Sequence, residues 1–303
     1  MTHVAVLMGG VSAEREVSLV SGEACARALE ERGYRVSRVD AGHDLAQRLA
    51  ELRPDRVFNA LHGRMGEDGR VQGLLDLMGL PYTHSGVLAS AVAMDKPMAK
   101  LIFRSIGLRC AEGVETTLGG LGDGLPLPAP VVVKPAAEGS SVGVTILLDD
   151  DPRPIFERND YDRDARVLVE RYVPGRELTC AVMGERSLAV TEIRPVQGFY
   201  DYRAKYTDGC AEHHVPAQLS QPVYDKVMDW ALRAHRGLGC RGVSRADFRF
   251  NPDEGEEEGL YILEVNTQPG MTPLSLVPEQ AAHCGISFGE LVDWLVMEAT
   301  CDR

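Results

Sequence analysis

A chain of 303 residues with 44% hydrophobic and 25% charged residues has an ordinary globular composition and room for two or three domains. Its formal net charge of −13 argues against a nucleic-acid partner, because a phosphate backbone needs clustered cations, so a smaller polyanion would need local lysines and a divalent metal. The cysteines (25, 110, 180, 210, 240, 284 and 301) show no Cys-x-x-Cys spacing and no apolar run approaches a membrane span, so a cytoplasmic setting without a membrane partner is expected. The opening MTHVAVLMGG lacks the cationic start of a signal peptide.

The first third alternates strand and helix. HVAVLM (3–8) reads as a buried parallel strand ending at Gly9-Gly10, and Val17, Val20, Ala24 and Ala28 mark the helix that follows. YRVSRVD (34–40) and RVFNAL (56–61) are further strands, with helices over 44–52 and 71–79. This pattern implies an open parallel sheet whose functional edge lies beyond the strand C-termini, where Gly10, Glu14 and His62 fall. One helix is expected over about 86–106, and the Gly- and Pro-rich 111–130 reads as a connecting loop. Strands then dominate: 130–148 around a Gly/Ser turn, 165–184 around a Pro-Gly hinge, and 185–195 as a hairpin partner. A helix over 221–238 precedes a hairpin, 244–250 with 260–266, joined by an acidic turn; an amphipathic helix covers 287–299.

The hairpin carries the sharpest chemistry. Period-two alternation puts Arg245, Asp247 and Arg249 on one face, and Glu264 and Asn266 on one face of the partner strand, with Tyr261, Leu263 and Val265 opposite. Two carboxylates and a carboxamide suit Mg²⁺, although a solvated acidic face would look the same. In VVVKPAAEGSSVG, Lys134 ends an apolar strand and the turn after it could fold its amides over phosphates or be a plain hairpin turn; it is not a P-loop. Glu14 could hold a substrate ammonium or simply begin a helix. Asp40 stands where a ribose-binding acid would, but G-x-G-x-x-G is missing. His62 is a catalytic candidate or a structural hydrogen-bonder. FYDYRAKYTDG, with Lys205 and Tyr206, reads as a covering loop or a surface loop. Glu170 and Glu177 flank a hinge able to bind adenine and ribose.

Together these segments, with VAVLMGGVSAEREVSLVSG and ILEVNTQPGMTPLSLVP, closely resemble the D-alanine–D-alanine ligases of the ATP-grasp superfamily, almost end to end. The resemblance implies an α/β fold: an N-terminal open parallel sheet (pre-ATP-grasp, Rossmann-like) followed by a two-part ATP-grasp fold. The expected divisions are 1–86 (substrate binding), 87–174 (central) and 175–303 (C-terminal). It implies ATP-dependent joining of two D-alanines through an acyl phosphate for peptidoglycan, the alternatives being D-alanine–D-lactate or D-alanine–D-serine ligation. A homodimer is expected. Asp247, Glu264 and Asn266 resemble ligands of two Mg²⁺ ions, with Mn²⁺ as a substitute. Lys96 and Lys134 resemble the phosphate-binding lysines, under a loop holding Ser140 and Ser141. Glu170 and the Val173 backbone resemble the adenine contacts, and Glu177 the ribose contact. Glu14 is similar to the acid on the first D-alanine's ammonium, with Ser18 and His62 in the substrate region. Arg245 and the Gly270 amide resemble the oxyanion-stabilising pair; Ser275, the Leu276 amide and Lys205 resemble the clamp on the second carboxylate. Glu14, Ser140 and Tyr206 match the family's hydrogen-bonded set. The departures are Arg171 and Gln268, where relatives often carry Lys and a small residue, the short Gly- and Pro-rich connection over 111–130, where relatives often carry an extra helix, and Pro152 and Pro154, which suggest a disrupted helix start.

Overall fold

The computed structural model describes residues 1–139, 143–150, 155, 162–195, 211–272 and 275–302. Three sheets organise them. Strand β1 (His3–Met8) runs parallel between β2 (Arg35–Asp40) and β3 (Arg56–Asn59). Helices α1 (Arg15–Glu31), α2 (Leu45–Leu52) and α3 (Arg70–Leu77) connect and cover them. Every β1 residue is buried because both faces are covered: Val4, Val6 and Met8 pack toward α1, and Ala5 and Leu7 toward α2 and α3.

The second sheet is antiparallel, in the order β4 (Gly113–Thr117), β7 (Arg166–Arg171), β5 (Val131–Pro135), β6 (Thr145–Leu147). Strand β4 lies within the stretch expected to be loop; it is an edge strand whose few apolar side chains gave no periodicity. The third sheet, also antiparallel, has the order β10 (Ala211–His214), β9 (Arg186–Pro195), β8 (Arg176–Met183), β11 (Val243–Phe250), β12 (Leu260–Asn266). Between β7 and β8 the chain passes from one sheet to the other, and Gly175 makes the passage possible. Its φ is +102°, and a Cβ there would fall 2.2 Å from the Phe250 carbonyl.

Strand β8 shows how the third sheet is covered. Leu178, Cys180 and Val182 pack with Ala99, Phe103, Val227 and Phe248 on one side, while Ala181 packs with Val277 and Leu291 on the other. The first side is covered by α4 (Val87–Met94), α5 (Lys96–Ser105) and α6 (Gln221–Gly237). The expected single helix over 86–106 is thus two. Asp95 leaves helical geometry, its carboxylate accepts a hydrogen bond from the Met98 amide at 3.1 Å, and Pro97 fills the first turn of α5. A short helix, α7 (Gly255–Glu258), lies between β11 and β12; α8 (Leu276–His283), not expected, and α9 (Phe288–Met297) close the chain.

The last elements return to the first sheet. Helix α9 packs on α1, Tyr34 donates to Asp293 at 2.6 Å, and Thr300 bridges Tyr82 beside β3. Leu29, Phe58, Val292 and Val296 share one core.

Candidate active site

The cleft lies where the three sheets approach one another. Its floor is the β11–β12 pair, where Arg245 stands opposite Asn266 and Asp247 opposite Glu264. The alternation read from the sequence fails at one residue. Register passes from Asp247–Glu264 to Phe248–Ile262, so Leu263 is an extra residue, a β-bulge. Ile262 and Val265 therefore share the core, while Leu263 and Glu264 both line the cleft; the expected pairing of Leu263 with Val265 does not hold.

Cations stand on both carboxylates. Arg245 pairs with Asp247 through two hydrogen bonds, 2.8 and 2.7 Å, and Thr179 donates to the same carboxylate at 2.7 Å. Lys96, at the start of α5, is 3.3 Å from Glu264 and donates to the Glu138 carbonyl. Asn266 accepts from the Gln268 amide at 2.7 Å. Among the described residues no three or more His, Cys, Asp or Glu side chains are grouped to hold a metal ion, so the donor set here is two carboxylates and one carboxamide. Hard oxygen donors on facing strands fit Mg²⁺.

One end of the cleft reaches between the second and third sheets. Lys96, Val132, Lys134, Glu170, Tyr172, Val173, Glu177 and Leu263 line it: apolar walls with charged groups at one side. Glu170 sits between two lysines. Its Oε1 is 2.6 Å from Lys100 and its Oε2 pairs closely with Lys134. Burial favours the neutral acid, but the two ammonium groups hold Glu170 below the usual carboxylate range. Lys134 is buried too, which opposes its charge, yet Glu170 and Glu264 raise its pKa. The Val173 carbonyl accepts from Arg249 at 3.1 Å, and Arg249 is 3.4 Å from Glu177.

The other end meets the C-terminal edge of the parallel sheet. Glu14, His62, Glu67, Arg245, Gly270, Ser275 and Leu276 line it. The Glu14 carboxylate lies 3.2 Å from where a Cβ on Gly139 would sit, so the missing side chain lets that loop approach it. His62 is held on both sides, by Ser21 at 3.1 Å and Glu67 at 3.2 Å, and Ser21 also accepts from the Met271 amide at 3.3 Å. Ser18 is spent on structure: its hydroxyl donates to the Ala60 carbonyl at 2.8 Å. Ser275 precedes α8, where it accepts from the Thr272 amide at 2.9 Å, so Leu276 opens the first turn of that helix. Asp40 lies apart from this cleft. Arg15 pairs with it at 2.6 Å, and it lines neither end of the cleft.

Ser140, Ser141, Lys205 and Tyr206 lie outside the described residues, as do Pro152 and Pro154. The other expected residues meet around this continuous cleft, apart from Ser18 just behind it. Sequence reading missed Ser21, Glu67 and Lys100, and it put Arg249 on the face of Asp247 and Gln268 in its loop without giving either a role. Lys100 had a signal: it lies four residues after Lys96, on the same side of an amphipathic helix.

A slot between two antiparallel sheets, opening onto paired acids and lysines, is the arrangement of an ATP-grasp fold. Comparison with known proteins narrows this. Residues 37–85 match the family described as D-ala D-ala ligase N-terminus, and residues 125–297 the D-ala D-ala ligase C-terminus. The D-alanine–D-alanine ligase of Cereibacter sphaeroides is 58% identical, covering 99% of this chain and 97% of that one. That of Sinorhizobium medicae is 56% identical, covering 99% of both. A crystal structure of the Bacillus anthracis D-alanine–D-alanine ligase superposes with a TM-score of 0.83 at 33% identity, covering 98% of this chain and 97% of that one. The same enzyme complexed with ATP gives 0.80 at 32%, covering 98% and 96%. The chain belongs to the D-alanine–D-alanine ligase family.

Proposed function

We propose that this chain joins two D-alanines into D-alanyl-D-alanine for peptidoglycan, with ATP converting the first carboxylate to an acyl phosphate. The observation that carries the reading is the unbroken cleft. The nucleotide end (Lys134, Glu170, Val173, Glu177) and the amino-acid end (Glu14, His62, Gly270, Ser275) share Lys96, Glu138, Asp247 and Glu264 or lie directly beside them.

A carboxylate is a poor electrophile, so activation must come first. Lys96 and Lys134 would receive phosphates, Glu177 the ribose, and Glu170 and the Val173 backbone adenine, since all of them line the slot. Asp247, Glu264 and Asn266 would hold two Mg²⁺ ions, or Mn²⁺ in their place; bound there, the ions would neutralise phosphate charge. Glu14 offers a carboxylate for the first ammonium, next to His62. When the second amine attacks, charge develops on the acyl oxygen, and the Arg245 guanidinium and the Gly270 amide, which both line this end, would be its donors. The N-terminal turn of α8, with Ser275 and the Leu276 amide, favours a carboxylate by its unpaired N–H groups and dipole. Ser140, Ser141, Lys205 and Tyr206 complete the reading as the groups that cover the cleft.

The division into 1–86, 87–174 and 175–303, a homodimer and a cytoplasmic location belong to the same reading. Six free thiols among the described residues accord with a reducing compartment. The test is ADP release near neutral pH with D-alanine, D-lactate, D-serine and L-alanine, with product mass. D-alanine-dependent ADP and a D-alanyl-D-alanine product are expected; an ester product, or no D-alanine dependence, overturns the proposal.

A further inference from the structure

We propose that Lys100 is the counter-charge that releases Lys134 to the nucleotide phosphates. This rests on the reading of the slot between the second and third sheets as the nucleotide site. Lys100 is outside that slot's lining, so it acts only through Glu170, as a positioning residue. Its side chain is 2% exposed, and its ammonium is 2.6 Å from Glu170 Oε1. The contact is an ion pair, and neither the Lys100 ammonium nor Glu170 Oε1 has a hydrogen-bond partner among the described residues. Lys134, which does line the slot, pairs with the other oxygen of the same carboxylate.

Charge accounting gives the consequence. Glu170 and Lys134 alone sum to zero, and each is buried. A polyphosphate drawing Lys134 toward itself would then leave a buried carboxylate without a partner, a strongly unfavourable state. The cost would oppose binding. Burial lowers the Lys100 pKa and Glu170 opposes that shift; charged on Oε1, Lys100 leaves Glu170 a cation whichever way Lys134 turns, and the wall then carries one net positive charge toward the phosphates. The two lysines are therefore not equivalent: one faces the ligand, and the other holds the acid that would otherwise retain it.

The test uses the full chain with Lys100→Met, read by calorimetric affinity for ADP with Mg²⁺, by KM for ATP and for D-alanine, and by Tm. Nucleotide affinity is expected to fall about tenfold or more, which is about 1.4 kcal/mol, while KM for D-alanine stays within about twofold. Adenosine, which has no phosphates to draw Lys134 away, is expected to bind Lys100→Met within about twofold of wild type. Unchanged ADP affinity in Lys100→Met overturns the proposal, as does an equal loss for adenosine and ADP. Should Lys100→Met fail to fold, Lys100→Gln, which leaves a donor but no charge beside Oε1, is read in the same way: ADP affinity within about twofold of wild type refutes the proposal, and a loss of about tenfold with adenosine binding kept supports it. Binding is read without turnover, so a wild-type chain that binds nucleotide but ligates nothing would sink the proposed reaction and leave this inference standing.

Discussion

Replacing Gln268 by alanine would cut the most direct polar link between the parallel sheet and the catalytic loop. The Gln268 side-chain amide donates to the Leu61 carbonyl at 2.6 Å, and its oxygen accepts from Asn59 at 2.8 Å. A carbonyl can only accept, so the orientation of the amide follows from the chemistry. The residue is 1% exposed, and water is not at hand to replace either bond. Losing two neutral buried hydrogen bonds costs about 2 kcal/mol, and stranding the Leu61 carbonyl adds about 1 to 2 more. Asn59 keeps its bond to the Gly66 carbonyl, so its side chain adds little. A total of about 3 kcal/mol, in a chain of this length, lowers Tm by about 5 °C, read by calorimetry. Because the Gln268 backbone amide also orients Asn266, KM for D-alanine should rise as the two sides of the cleft lose their register. Gln268→Ala with Tm within 1 °C of wild type would refute the reasoning.

Arg245→Ala should lower kcat by about 10²- to 10³-fold, the usual loss for one oxyanion donor, and unchanged kcat would count against that role. Glu264→Gln should raise the Mg²⁺ concentration needed for half-maximal ADP release by about tenfold or more; an unshifted magnesium titration would remove Glu264 from the metal site. His235, buried with its Nδ1 2.7 Å from the Ser244 hydroxyl, is pushed down to about 4 by burial, against 6.5 for a free histidine. The unfolded chain therefore binds this proton first as pH falls, so the contribution is complete above 6.5 and is lost between 6.5 and about 4, roughly 3 kcal/mol in all. Urea unfolding of His235→Gln should show a shallower loss of stability over that interval; an acid limb as steep as wild type would show that another group sets it.

Elements with strong periodicity were legible before the structure. Strand β1 and the β11–β12 hairpin are where the residues placed them, and Asp247 does face Glu264. The bulge at Leu263 was not legible, because a period of two carries no mark where one residue is extra. The break at Asp95 was signalled by an Asp-Lys-Pro run, but apolar residues on both sides hid it. Strand β4 exposes most of its length and owes its form to pairing with β7, a partner far along the chain. Candidate site residues were legible where chemistry forces a residue type, as with the two acids on the hairpin. Those that act by long-range partnership were not: Lys100 matters through Glu170, Ser21 through His62 and Gln268 through Asn59, and no spacing encodes such pairs.

The return of α9 to α1 bears on synthesis. Arg32 and Tyr34 meet Asp293, and Val292 and Val296 complete the core against Leu29 and Phe58. A ribosome delivers the parallel sheet well before the helix that seals it. While the intervening residues are being translated, one flank of that early sheet stays open to whatever chaperone or nascent neighbour is at hand, so the emergence of α9, rather than of the first hundred residues, sets when the sheet is closed.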